Sequence, residues 1–205
     1  MEDTLNNLKH RHFILHKPIG VLSQFINNKK RKKIVLGDVF PFPEKTMAIG
    51  RLDVDSEGLL LLTTDGKTSF YITSNKVEKE YYVQVDGLIT EAAIQQLQKG
   101  LEISINKKKY LTKPCKAHCL KKAPNFAPRT KKIRDERHGP TSWASITLRE
   151  GKYRQVRKMT AAAGFPTLRL IRVRIDHIQL DDLKAGQVME VDNFGIPSNI
   201  EKNKS

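Results

Sequence analysis

No apolar run in this sequence is longer than the four leucines at 59–62, far short of the roughly 20 residues that cross a bilayer core. The hydrophobic residues come in short pieces with turn residues between them. A core has to be put together from short strands and short helices. At 205 residues the chain suffices for one domain with a sizeable core, or two small ones. Its 39% hydrophobic and 29% charged residues mark it as globular, not as a disordered basic tail. Lys plus Arg number 37 against 22 Asp plus Glu, a formal net charge of +15. That excess points to a polyanionic partner, nucleic acid ahead of an anionic membrane. The stretch from Met1 to Pro18 has no apolar segment of signal-peptide length and no small-residue cleavage site. A cytosolic protein is expected, with Cys115 and Cys119 kept reduced.

The first ordered element is expected around Phe13, Ile14 and Leu15, halted by Pro18 and Gly20. Further strands are read at 47–49, 59–63, 81–85, 111–120, 142–148 and 167–175. In the third of these, Tyr81, Val83 and Val85 alternate with polar neighbours, as a half-buried strand requires. A short helix is read over 68–74 with Phe70 facing the core. A second opens at Thr90, with Ile94, Leu97 and Leu101 on its buried side and Gly100 as its stop. A third spans 153–163. Strands mixed with short helices, without regular βαβ spacing, make the fold α+β with a largely antiparallel sheet. Lys29, Lys30, Arg31, Lys32 and Lys33 form a run that suits either a solvated loop or an RNA contact. The proline-broken connection at 123–140 carries Arg129, Lys131, Lys132, Arg134 and Arg137; loops of that length in compact domains are more often functional or mobile than inert.

Two constellations carry chemistry. The first, GRLDVDSEG at 50–58, puts three carboxylates, Asp53, Asp55 and Glu57, in a polar turn clamped between two apolar strands. A calcium loop fails because Thr64 stands where a bidentate Glu is required. A magnesium-dependent phosphoryl-transfer site lacks any Gly-rich phosphate cradle. What remains is an isolated carboxylate nucleophile or base beside Arg51, or a charged turn with surface ion pairs; Asp55 and Glu57 serve the turn or orient Arg51. The second constellation runs from Arg149 to Arg174, where eight cations face Glu150 alone. Arg154 and Lys158 are i,i+4 neighbours, so the helix shows cations on one side while Val156, Met159 and Ala163 pack on the other. Cys115-Lys116-Ala117-His118-Cys119 supplies at most three zinc ligands where four are needed, so no metal is assigned and the segment reads as buried or half-buried strand.

GRLDVDSEGLLLLTTDG at 50–66, KEYYVQVDG at 79–87 and EGKYRQVRKMTAAAGFPTLRLIRVRI at 150–175 resemble the three core motifs of the RsuA/RluB/RluE/RluF family of pseudouridine synthases. FILHKPIGVLSQF near the start, Thr141-Ser142-Trp143 and the closing LDDLKAGQVMEV extend the similarity over about residues 12–192. The resemblance is nearest to the RluE branch, which acts on large-subunit rRNA. It implies the pseudouridine synthase fold, a mixed, mostly antiparallel sheet flanked by short helices and loops, with a central active-site cleft. The expected layout is a flexible segment at 1–11, a catalytic domain at 12–195 without the S4 RNA-binding domain of many relatives, and a disordered tail at 196–205.

The resemblance implies that Asp53 is the essential carboxylate, that Tyr81 stacks on the target base and helps proton transfer, and that Lys152 pairs with Asp53 and keeps it ionised. Arg51 and Arg157 would hold the backbone of the flipped nucleotide, and Arg154, Lys158, Lys29, Lys30 and Arg31 complete the RNA-binding set. Isomerising uridine needs no cofactor and no metal. The expected partner is large-subunit (23S) ribosomal RNA, met by a cytoplasmic monomer with no membrane association. A non-catalytic RNA-binding or ribosome-assembly protein on the same fold is the rival reading, and a metal-dependent nuclease a second.

Overall fold

The structure, a computed structural model, describes residues 9–27, 33–73, 77–128, 133 and 136–196. Lys29, Lys30 and Arg31, most of the basic residues of the 123–140 connection, and nearly all of the expected N-terminal segment and tail lie outside them. The strands are β1 (His12–Lys17), β2 (Met47–Ala48), β3 (Glu57–Thr63), β4 (Lys79–Asp86), β5 (Glu102–Ile105), β6 (Lys108–Leu111), β7 (Lys116–Cys119), β8 (Thr141–Leu148), β9 (Thr167–Ile175), β10 (Ile178–Gln179) and β11 (Val188–Val191). The helices are α1 (Leu36–Val39), α2 (Gly66–Thr73), α3 (Glu91–Lys99) and α4 (Gln155–Ala162), with a 3-10 turn at Glu136–His138.

The main sheet runs β11-β1-β3-β9-β4-β8-β7, with β2 beside β3 and β10 beside β9; β5 and β6 form a separate hairpin. Every pairing is antiparallel except β3 with β9. The fold class read from the sequence is therefore borne out. The parallel junction is confined to Glu57–Ile171 and Gly58–Arg172. It needs a glycine: a Cβ on Gly58 would lie 2.3 Å from the Arg172 carbonyl oxygen and 2.7 Å from its nitrogen, at φ +105°.

The run of leucines at 59–62 reflects a sheet covered on both faces. Leu60 and Leu62 join one core with Phe13, Leu15, Tyr81, Val83 and Val85, while Leu59 and Leu61 join a second with Ile14, Ile171 and Ile175. Helices α3 and α4 cover the first core with Ile94, Leu97, Val156 and Met159. Helix α2 covers the second through Ile72. The second residue before Ile72 lies about 200° around an α-helix, so Phe70 faces solvent at 77% exposure instead of the core as expected. Thr90 caps α3 by accepting the Ala93 N–H at 3.2 Å, and Gly100 ends it at φ +89°, as the sequence predicts. The strand expected over 111–120 is split, since Pro114 separates the end of β6 from the start of β7. Cys119 is exposed rather than buried, and Cys115 is half-buried with its thiol pushed up to about 11 by burial.

Candidate active site

The loop between β2 and β3 carries the carboxylates, and it lies where the end of β1, the start of β3 and the start of α4 meet. Its backbone is held from one side by the turn that follows β1. Ser23 Oγ accepts the Leu52 N–H at 3.0 Å and donates to the Leu52 carbonyl at 2.9 Å, and the Gly20 N–H donates to the Val54 carbonyl at 2.7 Å. The backbone is thereby held on either side of Asp53, at Leu52 and Val54. A turn closes behind it, with the Ser56 N–H on the Asp53 carbonyl at 3.0 Å.

Helix α4 holds the loop from the other side. Arg154 precedes the helix in the left-handed region at φ 52°, a conformation that costs a non-glycine residue on the order of 1 kcal/mol. Its guanidinium forks onto Asp55, at 2.8 Å and 3.0 Å to the two carboxylate oxygens, and reaches one Asp53 oxygen at 3.4 Å. Arg157 donates to the Asp55 carbonyl at 2.7 Å and lies 3.6 Å from its carboxylate. Asp55 is thus taken up by two arginines. The Asp53 carboxylate accepts no hydrogen bond among the described residues.

The two neighbours titrate in opposite directions. Burial raises the Asp53 pKa, and the nearby charge of Asp55 adds to that, against the opposing pull of Arg154, Arg157 and Lys17. Burial works against the Asp55 charge too, but there the Arg154 hydrogen bonds and the charges of Arg157 and Arg154 prevail, and its pKa falls. A half-buried carboxylate of raised basicity, 24% exposed, beside one whose charge is neutralised, is the kind of unequal pair that marks a candidate functional site.

Beneath the loop lies Lys17, with no exposed surface, its ammonium donating to the carbonyls of Pro18 at 2.9 Å and Val21 at 2.8 Å. Burial brings its pKa down to about 8, with Glu57, Asp55 and Asp53 supporting the charge. Glu57 itself pairs with buried Arg169 through bonds of 3.0 Å and 2.8 Å. Asp55 and Glu57 therefore have structural roles, with arginines other than Arg51. Tyr81 is buried in the cluster that also contains Leu52 and Val156, and it pairs across the sheet with Arg172, whose Nε donates to the Leu59 carbonyl at 2.7 Å.

Several expectations need correction. The cation beside Asp53 is Arg154 rather than Lys152, whose ammonium sits 5.1 Å from the Tyr110 ring centroid. The chain turns at 151–154, and α4 begins at Gln155 instead of 153, so the side chains at 152 and 154 leave in different directions. Arg157 is not a free RNA contact, being engaged with Asp55 and Ser56. The row of cations between 149 and 174 is not one solvated face. Arg169 and Arg172 are buried, Arg174 pairs with Glu80 and Glu78, Arg149 with Glu78, and the Lys158 ammonium donates to the Ser104 carbonyl. Arg51 is exposed at the edge of the loop. Sequence reasoning misses Ser23, Lys17 as a buried ammonium, and Arg154 as the acid's neighbour. The lysine-proline turn after β1 is the available signal for the first two.

The family model for RNA pseudouridylate synthase matches residues 11–162, which contain β1, the acid loop, β4 and all of α4. The chain belongs to the RNA pseudouridylate synthase family. The resemblance read from the three motifs is borne out. The ribosomal large subunit pseudouridine synthase E of Vibrio parahaemolyticus serotype O3:K6 (strain RIMD 2210633) is 43% identical over 180 residues, 87% of this chain and 72% of that one. The protein of the same name from Xanthomonas axonopodis pv. citri (strain 306) is 42% identical over 172 residues, 83% of this chain and 88% of its own. Among solved structures, a pseudouridylate synthase crystal structure superposes with a TM-score of 0.68 at 30% identity, over 89% of this chain and 70% of the other. Pseudouridine synthases rearrange a nucleoside within RNA, and in this member the family match spans the Asp53 loop and the Arg154 turn together.

Proposed function

We propose that this pseudouridine synthase converts a uridine of large-subunit ribosomal RNA to pseudouridine, with Asp53 as the catalytic carboxylate. The observation that carries the reading is the division of labour between neighbouring acids: Arg154 closes its fork on Asp55 and leaves Asp53 basic, un-hydrogen-bonded and partly open. Both relatives described above are named for the large ribosomal subunit. No helix among the described residues is long and apolar enough to cross a membrane, and the cytoplasm is where such a substrate is found.

The reaction breaks the N1–C1′ bond, turns the uracil and forms a C5–C1′ bond, while the C5 proton passes to solvent and N1 regains one. No electrons enter or leave and no second substrate is consumed, so side chains suffice without a cofactor. Asp53 acts by attacking C1′ or C6, or by removing the C2′ proton. Arg154 balances the negative charge at the start, and the buried Lys17 ammonium does so from below. The uridine must leave its stack, at a cost of a few kcal/mol that contacts to the RNA offset. Tyr81 lies on β4 in the cluster behind the loop and serves as the surface against which the extruded base rests. Arg51, exposed on the loop, takes a phosphate.

The test is tritium release from [5-³H]uridine-labelled large-subunit rRNA with pseudouridine mapping. The wild type releases tritium at one uridine and Asp53→Asn releases none. Full activity in Asp53→Asn refutes the assignment, and RNA binding without release by the wild type makes the protein a non-catalytic binder.

A further inference from the structure

Two aromatic side chains, Phe70 and Tyr153, stand strongly exposed among the described residues, and only Tyr153 adjoins the acid loop. It is 65% exposed, and its neighbour in the chain is Arg154. The left-handed backbone of Arg154 sends that guanidinium inward to Asp53 and Asp55 while the phenol ring of Tyr153 stays outside. Adjacent Cα atoms are 3.8 Å apart, and the phenol and the Arg154 guanidinium are near enough to interact electrostatically. Tyr153 therefore stands at the edge of the site.

The ring is also held in place. The Lys158 ammonium, one turn along α4, lies 5.2 Å from the ring centroid, and that ammonium is itself anchored by donating to the Ser104 carbonyl at 2.7 Å. Lys152 and Tyr110 form a second ammonium–ring pair, with the Tyr110 hydroxyl donating to buried Glu150. Glu150 also accepts the Lys113 N–H at 3.0 Å and the Gln155 side-chain amide at 2.6 Å, which ties the β5–β6 hairpin region to the start of α4. Aromatic rings interleaved with ammonium groups on a rigid rim suit unpaired RNA. The π-face accepts any base, and the cations meet the phosphates on either side.

We propose that Tyr153 is a stacking platform for an unpaired nucleobase flanking the target uridine. Asp53 requires one nucleotide to leave the helix, and its neighbour then loses a stacking partner. Tyr153 supplies the replacement. The inference rests on the proposed action on large-subunit RNA, and it adds a second point of contact, outside the reacting nucleotide.

The experiment is a double-mutant cycle in binding. The probe is the stretch of large-subunit rRNA that the wild-type protein protects from nuclease, synthesised as a series in which each nucleotide in turn is abasic. Tyr153→Ala is expected to weaken binding of the intact RNA roughly 5- to 100-fold, with the slope of log Kd against log salt unchanged, because stacking releases no counterions. Tyr153→Phe keeps wild-type affinity, and Tyr153→Leu, which retains bulk, behaves like Tyr153→Ala. At one flanking position the abasic RNA binds wild type and Tyr153→Ala equally, so the two losses do not add. Additive losses at every position, or an altered salt slope, overturn the proposal. Tritium release by the wild type is followed in parallel. Release without coupling removes the platform and leaves the function standing; coupling without release does the reverse.

Discussion

Replacing Arg154 by Ala separates the observed geometry from the one the motif suggests. The substitution removes two charge-assisted bonds to Asp55, 2.8 Å and 3.0 Å long, and the 3.4 Å contact to Asp53. Hydrogen bonds to charged groups contribute roughly 1.5–3 kcal/mol each when well shielded. The Arg154 side chain is 31% exposed, so solvent screening brings the total for the fork down to about 2–3 kcal/mol. If that loss falls on the barrier, turnover drops roughly 30- to 150-fold. Lys152→Ala removes an ammonium–ring contact at a partly exposed site, about 0.5–1 kcal/mol, and slows turnover less than about fivefold. The pH profile is a second readout. In the proposed reaction Asp53 must be ionised, so activity is expected above its pKa and is lost as pH falls through it. Taking away the Arg154 charge raises that pKa further, and the acid limb of kcat/KM moves to higher pH. Single-turnover tritium release across pH 4–8 measures both effects in the three proteins. A Lys152→Ala enzyme that loses turnover and shifts its acid limb, beside an Arg154→Ala enzyme that does neither, would refute the assignment of Arg154 as the cation partner.

Other consequences can be measured alongside. Asp53→Asn removes a carboxylate whose ionisation the fold disfavours, so the inactive variant keeps or exceeds the wild-type Tm near pH 7; a marked drop by calorimetry would mean that the charge holds the loop together. Lys17 has its pKa lowered to about 8 in the folded state, so the unfolded chain binds the extra proton above that pH and stability rises with pH there, by at most about 1.4 kcal/mol per unit for one group. Urea titrations at pH 7 and pH 9 should show wild type gaining on Lys17→Met, and parallel changes in the two proteins would contradict it. Gly58→Ala places a methyl group within 2.3 Å of the Arg172 carbonyl at φ +105°. A loss of more than about 3 kcal/mol is expected, seen as insoluble protein or an early urea midpoint, and near-wild-type stability would show that β3 and β9 separate easily.

Legibility in the sequence follows the range of the forces involved. Strand alternation and helix caps are local, so Tyr81, Val83 and Val85, and Thr90 with Gly100, are legible from residue types and spacing alone. Phe70 is not. Its hydrophobicity is a property of the residue, but its orientation is settled by which turn of α2 meets the sheet, and Ile72 takes that place. The acid loop is legible as a reactive carboxylate among others because its charges cluster in sequence. Its partner is not, since the pairing of residues 99 to 102 positions apart depends on one backbone dihedral at Arg154 that no pattern of residue types reveals.

Many of the cations between Arg149 and Arg174 turn inward because buried carboxylates need them. A loop with three carboxylates, folded against a sheet, would be driven apart by its own charge and by desolvation unless opposite charges reached it. Arg154 and Arg157 come from α4 to Asp55, Arg169 comes from β9 to Glu57, and Lys17 comes from β1 beneath them all. Asp53 receives the weakest of these contacts. Every other acid of the loop is answered by a close cation, and Asp53, the least satisfied of them, has its basicity raised chiefly by burial. The charge excess read from composition thus serves two ends. Part of it holds the acid loop in the fold, and the remainder, at Arg51 and along the rim around Tyr153, is left for the RNA under the function proposed above.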